Sequence, residues 1–303
     1  MKENYFMLSI KRIVVGTDMS PLASWAAARA ALLAHESGSE SVDLIHVIDN
    51  LAIETLRHLM KTPLETERRL MELSRKQLTE IERTLSEKYQ IPVSATTLNV
   101  GRPYTEIVRY AEFLNADLVV LGAHGGGLVR ELFVGSTVDR VLRKLARPVL
   151  IVKREPQVPY RKVLIPVDFS EFSGQATEFA MNIAPHASIT ALHAFEVPFK
   201  ASLESAGVDD DLVQIYESEV QAQKKKEMEQ FISELGAPKA TLSSIMELGP
   251  ASAVIRKNLE VLDPDLIVIG KQGQSGQDET LLGGVTRRLI QEASCDILVV
   301  PLF

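Results

Sequence analysis

Asp117-Leu118-Val119-Val120-Leu121-Gly122 returns later in the chain as Asp265-Leu266-Ile267-Val268-Ile269-Gly270, and this repetition decides the fold. Each run is an acidic residue, four aliphatic residues and a glycine, the pattern of a fully buried strand that ends in a tight turn. The two runs lie 148 residues apart, and the same spacing carries Gly101 to Gly249, Gly125 to Gly273 and Gly135 to Gly283. Further out, Arg12-Ile13-Val14-Val15-Gly16-Thr17-Asp18 reappears as Lys162-Val163-Leu164-Ile165-Pro166-Val167-Asp168, and Leu44-Ile45-His46-Val47 as Ala191-Leu192-His193-Ala194. A period this long, with so few insertions, is a duplicated domain and not a solenoid repeat. The first copy is placed at residues 1–154 and the second at 160–303. The boundary falls in Lys153-Arg154-Glu155-Pro156-Gln157-Val158-Pro159-Tyr160, where prolines and polar residues separate two apolar runs.

Within each copy, short β-branched runs alternate with longer helical patterns, which predicts βαβ units and a parallel sheet. In the first copy the strands are expected near 12–16, 42–48, 93–99, 117–122 and 148–152. Helices are expected over Pro21 to Ser37, with Ser20 as N-cap and Pro21 at the first position, over 64–89, over 103–114, and from Ser136 onward. The second copy predicts strands near 162–167, 188–195, 240–247, 265–270 and 296–300. The fold class is therefore α/β: two tandem doubly wound, Rossmann-like domains, each with a five-stranded parallel sheet flanked by helices.

The totals fit that picture. The chain has 303 residues, 46% of them hydrophobic and 24% charged, enough apolar material for two cores. A formal net charge of −7 argues against a nucleic-acid partner, which needs a dense Lys/Arg footprint. No apolar run reaches the roughly 18–20 residues of a membrane span, and Met1 to Ile10 lacks the long apolar region of a secretory leader. A cytoplasmic protein is the expectation. The lone Cys295 precedes an apolar run and reads as a buried small side chain. Lys224-Lys225-Lys226 sits in a helix rich in Glu and Gln and reads as a solvated face. His46 and His193 end apolar strands and read as structural histidines, and Trp25 as a packing residue.

In an open parallel sheet, ligands bind beyond the carboxyl ends of the strands, where strand order reverses. Thr17 and Asp18 follow the first strand, Val47 ends the second, and Gly122 closes the fourth, followed by Ala123, His124 and Gly125. Gly135, Ser136 and Thr137 then open a helix. Glycines let backbone approach an anion, and a helix N-terminus offers free N–H donors to phosphate. Asp18 can accept from ribose hydroxyls or help to hold a Mg²⁺ that bridges phosphates. A bland alternative makes Asp18 and Asp168 simple caps of the first helix of each copy. A P-loop is excluded because no lysine precedes Ser136, and the first strand–helix turn lacks the dinucleotide glycine fingerprint.

The spacing Gly-x2-Gly-x9-Gly-Ser, realised by Gly122, Gly125, Gly135 and Ser136, resembles the ATP-binding signature of the universal stress protein family. Asp18, the Leu44-Ile45-His46-Val47 stretch, Asn99-Val100-Gly101 after the third strand, and Arg147-Pro148-Val149-Leu150-Ile151-Val152 are similar to that family as well. The resemblance implies adenine in a pocket edged by Val47, ribose near Asp18 and Gly122, and phosphates on Gly125, Gly135 and Ser136. It further implies a regulatory or stress-survival role. Relatives with one domain commonly dimerise through their last strands. The two copies here are therefore expected to pair internally through Val149 to Val152 and Ile297 to Val300, with a homodimer as a further option.

The second copy keeps Asp168, Ala194, Gly270, Gly273 and Gly283 as a second candidate site, but Gly284 stands where the first copy has Ser136, with Thr286 two residues on. Gln272 replaces His124, Asp278 replaces Arg130, and Lys271 replaces Ala123 and offers a cation. The glycine loop of the first copy supplies neither an evident general base nor a cationic clamp, so a role for the bound state is read ahead of turnover. Slow ATP hydrolysis or self-phosphorylation on Ser136 or Thr137 is the enzyme alternative, and a scaffold that senses another small molecule is the third reading.

Overall fold

The computed structural model describes residues 10–59, 63–125, 134–236, 242–274 and 282–302. Its two halves repeat one strand order. The first half is built from β1 (Arg12–Thr17), α1 (Pro21–Ser37), β2 (Ser41–Asp49), α2 (Asn50–Leu59), α3 (Pro63–Tyr89), β3 (Val93–Gly101), α4 (Pro103–Phe113), β4 (Leu118–Gly122), α5 (Ser136–Lys144) and β5 (Val149–Val152). The second half follows with β6 (Lys162–Pro166), α6 (Glu171–Ile183), β7 (Ser188–Phe195), α7 (Lys200–Ser205), α8 (Asp210–Glu234), β8 (Leu242–Leu248), α9 (Ala251–Leu262), β9 (Leu266–Gly270), α10 (Gly284–Glu292) and β10 (Asp296–Val300).

Both five-stranded sheets are parallel, and they join into one ten-stranded sheet in the order β3-β2-β1-β4-β5-β10-β9-β6-β7-β8. The seam is antiparallel, with Val149 opposite Val299, Leu150 opposite Leu298 and Ile151 opposite Ile297. All six side chains are buried. The internal pairing expected of the two last strands is thus the geometry of this seam. Alternation along each strand splits the core into two layers. Ile13 and Val15 join the layer under α1, α3, α6 and α8, while Val14 and Val119 join the layer under α4, α5, α9 and α10.

Helix α1 begins where the sequence places it. The Ser20 hydroxyl accepts from the Ala23 N–H at 3.3 Å, and Pro21 occupies the first turn. Its alanines Ala26, Ala27, Ala30 and Ala31 are buried, so the helix lies close on the sheet. Gly122 makes that closeness feasible, because a Cβ there would stand 2.9 Å from the backbone carbonyl of Leu22.

Three elements of the first half differ from expectation. Helix α2 is absent from the sequence expectation, although Ala52, Ile53, Leu56 and Leu59 recur at helical spacing; of its residues only Ile53 is buried. Strands β2 and β3 run further than expected, to Asp49 and Gly101, because they pair with each other as far as the Asp49–Gly101 register. Asn99, Val100 and Gly101 therefore belong to β3 and do not follow it.

The connection between the halves is strapped down by a buried ionic cluster. The carboxylate of Asp296, 1% exposed, accepts from the N–H groups of Lys153 and Arg154 at 2.8 and 3.2 Å and from the Tyr160 hydroxyl at 2.7 Å. Arg29 of α1, also buried, lies 3.3 Å from the same carboxylate, stacks 4.0 Å above the Tyr160 ring and donates to the Val158 carbonyl. The Lys153 ammonium donates to the carbonyls of Ile290 and Ala293. Next to it, Cys295 is 2% exposed, and burial pushes its thiol up to about 12, as befits an inert core side chain.

Candidate functional site

Strand order reverses between β1 and β4, and there the carboxyl ends of the strands leave a crevice. β1 stops at Thr17, opposite His46, while β2 continues to Asp49. This leaves the end of β2 with no β1 neighbour and opens one wall of a cavity of about 410 Å3. Thr17, Asp18, Val47, Gly122, His124, Gly125, Gly135, Ser136 and Thr137 all line it. The loop from Gly126 to Leu132, including Gly127 and Arg130, and neighbouring Phe133 lie outside the described residues.

Local chemistry explains each placement. The chain turns from β1 into α1 through Met19, whose φ of 65° is left-handed, and Phe169 repeats the turn in the second half at 63°. The Asp18 carboxylate accepts from the Ser20 N–H at 3.0 Å, so it both caps the turn and faces the glycine loop. At Gly125 an added Cβ would collide with the Asp18 Oδ2, which is why glycine occupies that position. Gly135 N-caps α5, anchored by its N–H to the Ala123 carbonyl at 2.9 Å. The first N–H groups of α5 and the hydroxyls of Ser136 and Thr137 thus gather at one end of the cavity. Ile45, Val47, Ile107 and Leu121 make the other walls apolar.

Sequence reasoning missed Asp49, Pro103 and Ile107, which also line this cavity. Asp49 lies one residue beyond the strand expected over 42–48. The signal was available in the alternation Ile45, Val47, Asp49, which puts all three on one face.

The second half brings its own candidates together. Asp168, Ala194, Gly270, Gly273, Gly283 and Gly284 line a smaller cavity of about 180 Å3. Here the carboxylate is saturated from within the protein. Asp168 accepts from the N–H and hydroxyl of Ser170 at 3.1 and 2.5 Å, from the Ser173 hydroxyl at 2.6 Å and from the Gln274 N–H at 2.8 Å. Burial by itself would raise its pKa, but these hydrogen bonds outweigh burial and hold the carboxyl below the usual range. The Thr286 hydroxyl donates to the Gly270 carbonyl at 3.0 Å, so it does not replace the missing Ser136 hydroxyl. Lys271 donates to the Arg143 carbonyl at the C-terminal end of α5 and is absent from the cavity lining. The cation expected of it in this pocket is thus directed elsewhere. Asp278, which replaces Arg130, and the adjoining Glu279, an acidic pair that would repel a polyphosphate if it faced one, lie outside the described residues.

The histidines take the structural role expected of them. Nδ1 of His46 donates to the Thr17 carbonyl and Nδ1 of His193 to the Val167 carbonyl, both at 2.8 Å. His193 is buried against Phe169, and burial, helped by the Lys224 cation, pushes its pKa below the ordinary value. The unfolded chain therefore binds a proton near pH 6.5 that the folded chain takes up only at lower pH. Stability that is present above pH 6.5 is lost as pH falls toward the folded pKa, at up to about 1.4 kcal/mol per pH unit. His193→Asn keeps a donor for Val167 but cannot titrate. Urea unfolding at pH 7 and pH 5 should show a smaller acid loss in this variant than in the parent. Equal losses would assign the acid sensitivity to other groups.

Among the described residues no helix is long and apolar enough to cross a membrane, and no cluster of three or more His, Cys, Asp or Glu forms a metal cage.

Comparison with known proteins agrees with the repeat. The family model described as "Universal stress protein family" matches residues 9–153 and again 159–301. A universal stress protein of Methanocaldococcus jannaschii is 32% identical over 143 residues, covering 46% of this chain and 82% of the relative. Universal stress protein E of Escherichia coli K12 is 23% identical over 221 residues, covering 69% of this chain and 68% of that one. Among solved structures, a universal stress protein from Archaeoglobus fulgidus superposes with a TM-score of 0.67 at 18% identity, covering 96% of this chain and 98% of its own, a likeness of fold. With the model matched once in each half, the chain belongs to the universal stress protein family, as two of its domains in tandem.

Proposed function

We propose that the first half binds ATP and that the protein acts through its nucleotide-bound state, as a cytoplasmic regulatory or stress-survival protein. One observation carries the reading: nine residues chosen from sequence alone line a single cavity, with helix donors at one end and apolar walls at the other. Its volume, about 410 Å3, falls in the range of small-molecule sites, whereas the second half's 180 Å3 falls below it. The residues fit the ligand. Glycine at 125 lets the Asp18 carboxylate lie against the loop, the helix start from Gly135 to Thr137 offers donors suited to phosphates, and Asp18 can accept from a ribose hydroxyl or help to hold a phosphate-bound Mg²⁺.

The described lining contains no lysine or arginine to neutralise charge that develops during phosphoryl transfer. This favours binding over turnover. To test the reading, the natively purified chain is denatured and the released small molecules are identified and quantified by mass spectrometry. About one adenine nucleotide per chain is expected. Two per chain would show that the second half also binds. None, together with no rise in unfolding temperature on adding Mg·ATP, would defeat the proposal.

A further inference from the structure

We infer that Asp49 is the residue by which the first half selects a 6-aminopurine over a 6-oxopurine; the assignment rests on the ATP reading above. Ile45, Val47 and Asp49 alternate on β2, so one face of the strand runs from the apolar depth of the cavity to a carboxylate at its rim. One oxygen of that carboxylate is held by the backbone, which leaves Oδ2 for a ligand. Oδ1 of Asp49 accepts from the Leu51 N–H at 2.9 Å, at the start of α2.

Charge decides what such a group can be for. A carboxylate is an acceptor only, and a polyphosphate ligand brings further negative charge into the same cavity. The phosphate donors lie at the α5 terminus with Gly125, beside Asp18, so Asp18 is the carboxylate placed nearest the ribose and phosphates. Asp49 stands on a different strand, continuous with the apolar wall that suits a base. There the donor that an adenine nucleotide offers is its exocyclic 6-amine. A 6-oxopurine presents an oxygen lone pair at the 6-position, and two acceptors facing each other repel; its N1–H donor lies on the neighbouring ring atom, so the selection assigned to Asp49 requires that the carboxylate face the 6-substituent. In the second half the residue that corresponds to Asp49 is Glu196, which is absent from the lining of the smaller cavity.

The test compares ATP with ITP, which differ at the 6-position, by calorimetric titration of the full chain. The parent should bind ATP at least about tenfold more tightly, the scale of one charge-assisted hydrogen bond gained or opposed. Asp49→Asn keeps an oxygen for the Leu51 N–H but can turn its amide NH2 toward a 6-oxo group. Its ATP-to-ITP ratio should fall to within about threefold of unity, with ITP binding gained as well as ATP binding lost. A parent without preference, or a ratio unchanged in Asp49→Asn, overturns the assignment while leaving ATP binding standing. Failure of the parent to bind either nucleotide overturns the ATP reading and this inference with it.

Discussion

Replacing Asp296 with asparagine should lower the unfolding free energy by about 3–5 kcal/mol, measured by urea denaturation of the full chain, because it strands a buried cation. Arg29 is 5% exposed, and the Asp296 carboxylate, 3.3 Å away, is its ion-pair partner. The pair is worth far more than a surface bridge, since neither group can turn to water for compensation. The same carboxylate holds two backbone N–H groups and the Tyr160 hydroxyl, so one side chain ties α1, the connection and β10 together. Asparagine preserves the shape and one acceptor oxygen, but it removes the charge and turns the second acceptor into an NH2 donor. Arg29→Met combined with Asp296→Asn should therefore recover a substantial part of the loss, because the uncompensated cation is gone. A single-variant cost below about 1 kcal/mol, or a double variant whose loss equals the sum of the two singles, would show that the pair does not carry the junction.

This cluster also marks where sequence reading stops. The connection Lys153 to Tyr160 reads as a linker from its prolines, and nothing in a single sequence reveals that a carboxylate 136 residues beyond Tyr160 fastens it. The duplicated strands and the glycine spacing were legible because they are local and occur twice. The contacts that separate the two halves occur only once, and some of them span the chain. Ser173 replaces Ala23, and that one change puts a hydroxyl on Asp168 that Asp18 cannot receive from the corresponding position. Lys271 looks like a ligand-facing cation by its place after Gly270, yet its ammonium donates to a carbonyl in the other half of the chain. Secondary structure was missed for a related reason. The register that extends β2 to Asp49 is set by β3, so the strand's end, and with it Asp49, is a property of the pair.

Ser136→Glu should weaken ATP binding at least about a hundredfold without destabilising the fold. Ser136 is the first residue of α5 and exposed, so a longer side chain is accommodated. A carboxylate in the first turn complements the helix dipole and contributes up to about 1 kcal/mol to the folded state, so a loss of binding cannot be laid to unfolding. Against a phosphate, the same charge acts in the opposite sense. Two unit charges 4 Å apart at an effective dielectric of 20 repel by about 4 kcal/mol, and exposure to solvent reduces that toward the predicted loss of about 2.7 kcal/mol. Binding of ATP within threefold of the parent would place the phosphates away from α5. The reciprocal change separates the hydroxyl from the cavity. At Gly284 an added Cβ meets no atom within 4 Å, so Gly284→Ser restores the missing hydroxyl without strain. It should still recruit no second nucleotide, because Asp168 stays saturated and the cavity stays small. If Gly284→Ser raised the stoichiometry to two nucleotides per chain, a single hydroxyl would be what distinguishes the halves, and the closure around Asp168 would not.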